Sequence, residues 1–121
     1  MTSTSGSPFC HIAIPAQDLR KAQVFYRGVF GWQITEDVPG PRYWFFQSGN
    51  VGGALDGSLS GSATGVVLVL SVTDITESLR LVTEHGGTVV RGRSAIGEAS
   101  DGFDAYFLDP NGNKVGIYSA S

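Results

Sequence analysis

The stretch HIAIPAQDLRKAQVFYRGVFGW (11–32) decides the fold, because it holds a strand and a helix that each carry their own stop signal. FCHIAI (9–14) has the apolar, β-favouring character of a short strand, and Pro15 ends it. Asp18 is placed to cap a helix along which Leu19, Ala22, Phe25, Tyr26, Val29 and Phe30 recur at helical spacing. Gly31 stands where a left-handed C-terminal cap belongs. Residues 32–36 then read as a second strand and, after the turn-forming VPGP (38–41), RYWFFQS (42–48) reads as a third. Gly49 and Asn50 turn the chain into a fourth, VGGAL (51–55).

Beyond a Gly/Ser-rich connector, DGSLSGSATG (56–65), the same order starts again. GVVLVLSV (65–72) is an apolar strand. Asp74 is placed to cap a helix with Glu77 three residues on, Ile75, Leu79 and Val82 form its buried stripe, and Gly86 and Gly87 stop it. Strands follow at 88–91, at 95–99, in FDAYFL (103–108) and, after the turn at Asp109-Pro110-Asn111-Gly112, in KVGIY (114–118). A constant offset of 56 relates Asp18 to Asp74 and Gly31 to Gly87, and sets Leu19 on Ile75, Phe25 on Leu81 and Ile34 on Val90. The economical account is an α+β protein of two βαβββ modules that share a curved sheet. The expected boundaries are a disordered N-terminus at 1–8, then one domain at 9–119 made of a module at 9–56, a linker at 57–64 and a module at 65–119.

Composition narrows the function. The chain has 121 residues, 41% of them hydrophobic, enough for one core without disulfides or a structural metal. Eight Lys and Arg against eleven Asp and Glu give a net charge of −3, without the basic stripe that nucleic acid requires. No apolar run has the length of a membrane span, and MTSTSGSP (1–8) lacks the regions of a signal peptide, so the expectation is a soluble cytoplasmic protein. The lone Cys10 has no basic neighbours to activate it and reads as an inert packed thiol. The 17 glycines are about twice the usual share of roughly 7%, which implies many tight turns and a curved sheet.

Three segments, HIAIPAQDLRKAQVFYRGVFGW (11–32), GG-T-VV (86–90) and above all FLDPNGNKVGIY (107–118), resemble the vicinal oxygen chelate superfamily, the glyoxalase, bleomycin-resistance and extradiol dioxygenase group. The resemblance spans roughly residues 9–119 and is specific as to fold, far less so as to reaction. It implies that the two βαβββ modules form a cup-shaped curved sheet with the helices outside, a cup that opens around a metal or ligand and is commonly completed in a homodimer. It also implies metal ligands on the first and last strands of each module. His11 matches the first such position. Val67 stands at its equivalent in the second module, Gly116 stands where a Glu usually follows D-P-x-G-N-x-x, and the remaining position falls near Gly52 or Gly53. Three of the four places carry no donor atom, whereas a catalytic divalent ion normally needs about three protein ligands. No metal or other cofactor is therefore expected. A site assembled from His11 with Glu36, Asp56, Glu98, Asp101 or Asp104 is the alternative.

Strand alternation puts His11 and Ala13 on one face and Cys10, Ile12 and Ile14 on the other, so His11 should look into the cup. There a neutral imidazole can move a proton near pH 7, hydrogen-bond a ligand, or simply satisfy a neighbour. His85, in the last turn of the second helix, has the position of a dipole-complementing surface residue. Of the aromatic strands, alternate residues must face the cup, and Trp44, Phe46, Phe103 and Tyr106 are the candidate ligand-binding rings, with His11, Gly53, Val67 and Gly116. The expected partner is a small, partly aromatic organic molecule held without the superfamily's usual metal site. The rival reading is a lyase, isomerase or dioxygenase-type enzyme with His11 as acid/base and Tyr106 as donor, or with His11 as one ligand of an unusual metal site.

Overall fold

The computed structural model describes residues 6–36, 42–98 and 101–121. The elements run β1 (His11–Pro15), α1 (Leu19–Phe30), β2 (Gln33–Thr35), β3 (Tyr43–Ser48), β4 (Val51–Asp56), β5 (Leu68–Ser71), α2 (Ile75–Glu84), β6 (Thr88–Ala95), β7 (Phe103–Leu108) and β8 (Lys114–Ser119). This is an α+β architecture of two βαβββ modules. The expected VPGP turn (38–41) and the end of the expected strand at 95–99 lie outside the described residues; Ala95 itself closes β6.

The modules repeat their topology. In the first sheet the strand order is β1-β4-β3-β2 and in the second β5-β8-β7-β6, with β1 parallel to β4 and β5 parallel to β8. The two sheets remain separate four-stranded units rather than one hydrogen-bonded sheet, and they curve as an open cup. Both helices start as the sequence dictates. The Asp18 carboxylate accepts from the Lys21 N–H and the Asp74 carboxylate from the Glu77 N–H. Glu77 does not reach back to complete a capping box, because its carboxylate is taken by Arg80.

The ends of the helices correct the offset. Gly31 ends α1 with φ 71°, but in the second module it is Gly86 that takes the left-handed conformation, with φ 97°, not Gly87. The offset therefore drops by one, and the shift propagates. Val89, not Val90, pairs with Phe107 as Ile34 pairs with Phe46, and both valines stay exposed, Val90 the more so.

One apolar cluster joins the two modules. Ile14, Phe25, Tyr26, Trp32, Phe46 and Leu55 of the first are continuous with Ile75, Val82, Phe107, Val115 and Ile117 of the second, all buried. Its centre is a ladder of rings: Tyr26 stacks on Trp32 at 4.7 Å between centroids and Trp32 on Phe46 at 4.4 Å. Phe107 crosses from the second module to meet Phe25 and Phe30 at 5.6 and 6.0 Å.

The D-P-N-G-N turn fastens this joint. Asp109 is buried and its carboxylate accepts four hydrogen bonds, from the Tyr26 hydroxyl at 2.7 Å, the Asn113 side chain at 2.9 Å, and the backbone N–H groups of Asn111 and Asn113. Asn113 donates onward to the Pro15 carbonyl, and Asn111 both accepts from the Asp18 N–H and donates to the Asp18 carbonyl. His85, expected as a surface cap, also belongs to the joint. Its Nδ1 donates to the Leu81 carbonyl and its ring fills the space above Gly28 of α1, where a β-carbon would come within 2.3 Å.

Burial, and next to it the charge of Asp109, raises the Tyr26 pKa well above its ordinary value. The folded protein thus holds the phenolic proton more tightly than the unfolded chain does. That contribution to stability is complete below pH about 10 and is lost as the pH climbs from there toward the raised value. The midpoint of thermal unfolding, followed by circular dichroism, is expected to fall above pH about 10 in the native protein and to fall less in Tyr26→Phe. Equal slopes in the two proteins would contradict the assignment.

Candidate functional site

The cup's inner surface is the face of each sheet turned away from the helices, and the strand register says which side chains it carries. In the first module His11 lies opposite Gly52, Ala13 opposite Ala54, and Phe45 opposite Ala54 from the other side. His11, Ala13, Tyr43, Phe45 and Gln47 therefore share the inner face. Trp44 and Phe46 belong to the other set with Ile12, Gly53 and Leu55, packed toward the helices. The expected orientation of Trp44 and Phe46 is thus reversed: Phe46 stacks on Trp32 in the core, and the rings of the inner face are Tyr43 and Phe45. Gly53 is likewise a core position, since a β-carbon there would meet the Ile12 carbonyl at 2.1 Å and the Phe46 ring at 2.5 Å.

His11 is exposed on this face, as its alternation with Ile12 and Ile14 requires. Its Nε2 lies 2.7 Å from the Tyr43 hydroxyl, with the two ring planes nearly parallel at 11°, and Phe45 packs edge-on against Tyr43 at 5.3 Å. A neutral imidazole can accept the phenolic proton through Nε2 while Nδ1 carries its own. The sequence reading missed Tyr43. The only signal for it was register, because four successive aromatics give no sign of which pair faces inward.

In the second module the inner face carries Val69, Ser71, Asp104, Tyr106, Lys114, Gly116 and Tyr118. Tyr106 lies over Gly116, where a β-carbon would meet the ring at 2.8 Å and Val69 at 3.2 Å, so the space left by the missing side chain is already filled by the phenol. The Arg91 guanidinium reaches Asp104 at 2.6 Å and sits 5.0 Å from the Tyr106 centroid, and the Lys114 ammonium sits 5.0 Å from the same centroid. Phe103 faces the helices, half-buried against the core with Arg93 over its ring at 3.7 Å. His11 and Tyr106 are not brought into contact: the hydroxyl nearest His11 is that of Tyr43, and the Tyr106 hydroxyl points toward Asp104 at 3.5 Å. Val67, one residue before β5, lines an apolar cleft of about 430 Å³ where the edges of β1 and β5 approach, with Phe9, Ile12, Ile14, Val66 and Leu68.

Register also relates to one another the four positions at which the resemblance implies metal ligands. Val69 pairs with Gly116 as Ala13 pairs with Ala54, so the first-module equivalent of Gly116 is Ala54 rather than Gly52 or Gly53. The set is His11, Ala54, Val67 and Gly116, with one donor atom group among four. Of the five acids that could substitute, four are engaged elsewhere. Glu36 pairs with Arg20, Asp104 with Arg91, Asp56 accepts from Ser58, and Asp101 accepts from the Glu98 N–H. Among the described residues no three His, Cys, Asp or Glu side chains converge. The donor set does not fit the superfamily's metal.

The sequence matches the family model of the Glyoxalase/Bleomycin resistance protein/Dioxygenase superfamily over residues 9–117, and the chain belongs to that superfamily. No curated protein matches it. Among solved structures it is similar to a glyoxalase/bleomycin resistance protein/dioxygenase family enzyme from Burkholderia phytofirmans PsJN, at 17% identity over 93% of this chain and 98% of that one, TM-score 0.77. It is also similar to lactoylglutathione lyase from Agrobacterium tumefaciens, at 23% identity over 96% of each chain, TM-score 0.68. At these identities the two share the fold alone. TnmS3, an antibiotic binding protein from Streptomyces sp. CB03234, is 25% identical over 98% of this chain and all of its own, TM-score 0.70. No helix among the described residues is long and apolar enough to cross a membrane.

Proposed function

We propose that the protein binds a small, partly aromatic organic molecule on the inner face of the cup, without the metal site usual in its superfamily and without turning the ligand over. The observation that carries this reading is the set His11, Ala54, Val67 and Gly116: three residues with no side-chain donor atom stand where metal ligands are expected, and Tyr106 fills the space above Gly116. What the inner face offers instead is ring surface and half-polar edges, from Tyr43, Phe45, Tyr106 and Tyr118. The likeness to an antibiotic binding protein supports a small-molecule ligand. A second copy of the chain, placed against the exposed Phe45 and Val69, would give the ligand a second wall.

The His11–Tyr43 hydrogen bond supports a second reading, a metal-free enzyme in which His11 serves as acid/base. Tyr43 is then the proton donor in place of Tyr106. Calorimetric titration with planar aromatic compounds, followed by mass spectrometry of the recovered ligand, separates the two. The expected result is saturable binding with the ligand returned unchanged, and a loss of about tenfold in affinity in His11→Ala, as for removal of a polar ligand contact of about 1–1.5 kcal/mol. Conversion of the ligand that stops in His11→Ala with its affinity intact would replace the binding reading by the enzymatic one.

A further inference from the structure

Strand β6 holds two residues more than β7 requires, one between Val89 and Arg91 and one between Arg91 and Ser94. Val89 pairs with Phe107 on the helix side, so an unbroken ladder would set Val90 against Tyr106 on the inner face. The first bulge gives that place to Arg91 instead, re-aiming a guanidinium where a valine would have stood. Arg91 reaches both the carbonyl and the carboxylate of Asp104. Lys114, on the adjacent strand, shares the Tyr106 ring with Arg91 and has no carboxylate partner among the described residues. Tyr106 is itself held down on the bare backbone of Gly116. Two cations and one carboxylate thus leave one positive charge uncompensated on a half-buried face of a protein whose net charge is −3.

We infer that Arg91, Lys114 and Tyr106 form an anion subsite, and that the ligand of the cup is a flat aromatic molecule bearing a carboxylate- or sulfonate-type acid group. Lys114 supplies the unmatched charge, Arg91 offers directed N–H donors, and the Tyr106 ring keeps both cations in place. The inference rests on the binding reading above and adds the ligand's chemical class to it. Nothing in the sequence pattern announces the subsite, because the bulge that builds it is visible only in the register.

Two fluorescent probes of nearly the same shape test it: anionic 1-anilinonaphthalene-8-sulfonate and the uncharged N-phenyl-1-naphthylamine, each titrated into the native protein and into Lys114→Met and Arg91→Met at low salt. The native protein is expected to hold the anion about tenfold more tightly than the neutral probe. In Lys114→Met that ratio falls to about one while the affinity for the neutral probe stays unchanged, with Arg91→Met moving the same way. Circular dichroism melts establish that each variant is folded, and Lys114→Gln serves where the methionine variant is not. A preference for the anion that survives both substitutions, or equal binding of the two probes by the native protein, overturns the anion subsite and leaves the binding reading standing. Binding of neither probe overturns the binding reading, and the subsite with it.

Discussion

Asp109→Ala is expected to lower stability by about 3–5 kcal/mol, because it strips four donors of one buried acceptor and leaves the Tyr26 hydroxyl inside the joint without a partner. For a domain of this size that is a large share of the total, and it corresponds to a fall of about 10–20 °C in the thermal midpoint. Asp109→Asn keeps the shape and one carbonyl oxygen. Its amide can face the Tyr26 hydroxyl, which can turn to accept, but it meets the Asn113 side-chain N–H donor to donor. A loss of about 2 kcal/mol is expected there. Urea unfolding of the three proteins measures both differences, and a loss under about 1 kcal/mol in Asp109→Ala would refute the role given to the turn.

Phe107→Ala is expected to cost about 3–5 kcal/mol as well, by a different route. The ring has no solvent exposure and packs on Phe25 and Phe30 of the other module, so its removal opens a cavity at the joint rather than at the edge of one half. Phe107→Leu refills most of that space, and about 1–1.5 kcal/mol is expected for it. The same urea titrations report these values. Because Asp109 and Phe107 serve one joint, the double variant is expected to lose less than the two single losses together. Full additivity would mean that the two side chains stabilise independent regions.

The element order was legible because each start and stop has a local cause. Asp18, Asp74 and Gly31 do in the structure what their chemistry announces in the sequence. The one-residue slip at Gly86 was not legible, since two successive glycines stop a helix equally well and only the backbone shows which takes the left-handed turn. The site was legible on β1, where His11 alternates with isoleucines, and not on β3, where Tyr43, Trp44, Phe45 and Phe46 present rings to both faces. There the outcome depends on a distant partner: Trp32 claims Phe46 for the core, and that choice turns Tyr43 toward His11. Asp109 opens the turn that its D-P-N-G setting announces. Its larger role depends on Tyr26, 83 residues earlier, and no local pattern can encode such a pairing.

That separation has a kinetic consequence. The contacts that clamp the halves together span 83, 93 and 98 residues, whereas each helix cap and hairpin closes over a few. Long loops are entropically expensive to close before their ends have ordered partners to meet. The clamp is therefore expected to form after each half has collapsed on itself, so that in stopped-flow measurements substitutions at Asp109 or Asn113 speed unfolding and leave the refolding rate nearly unchanged.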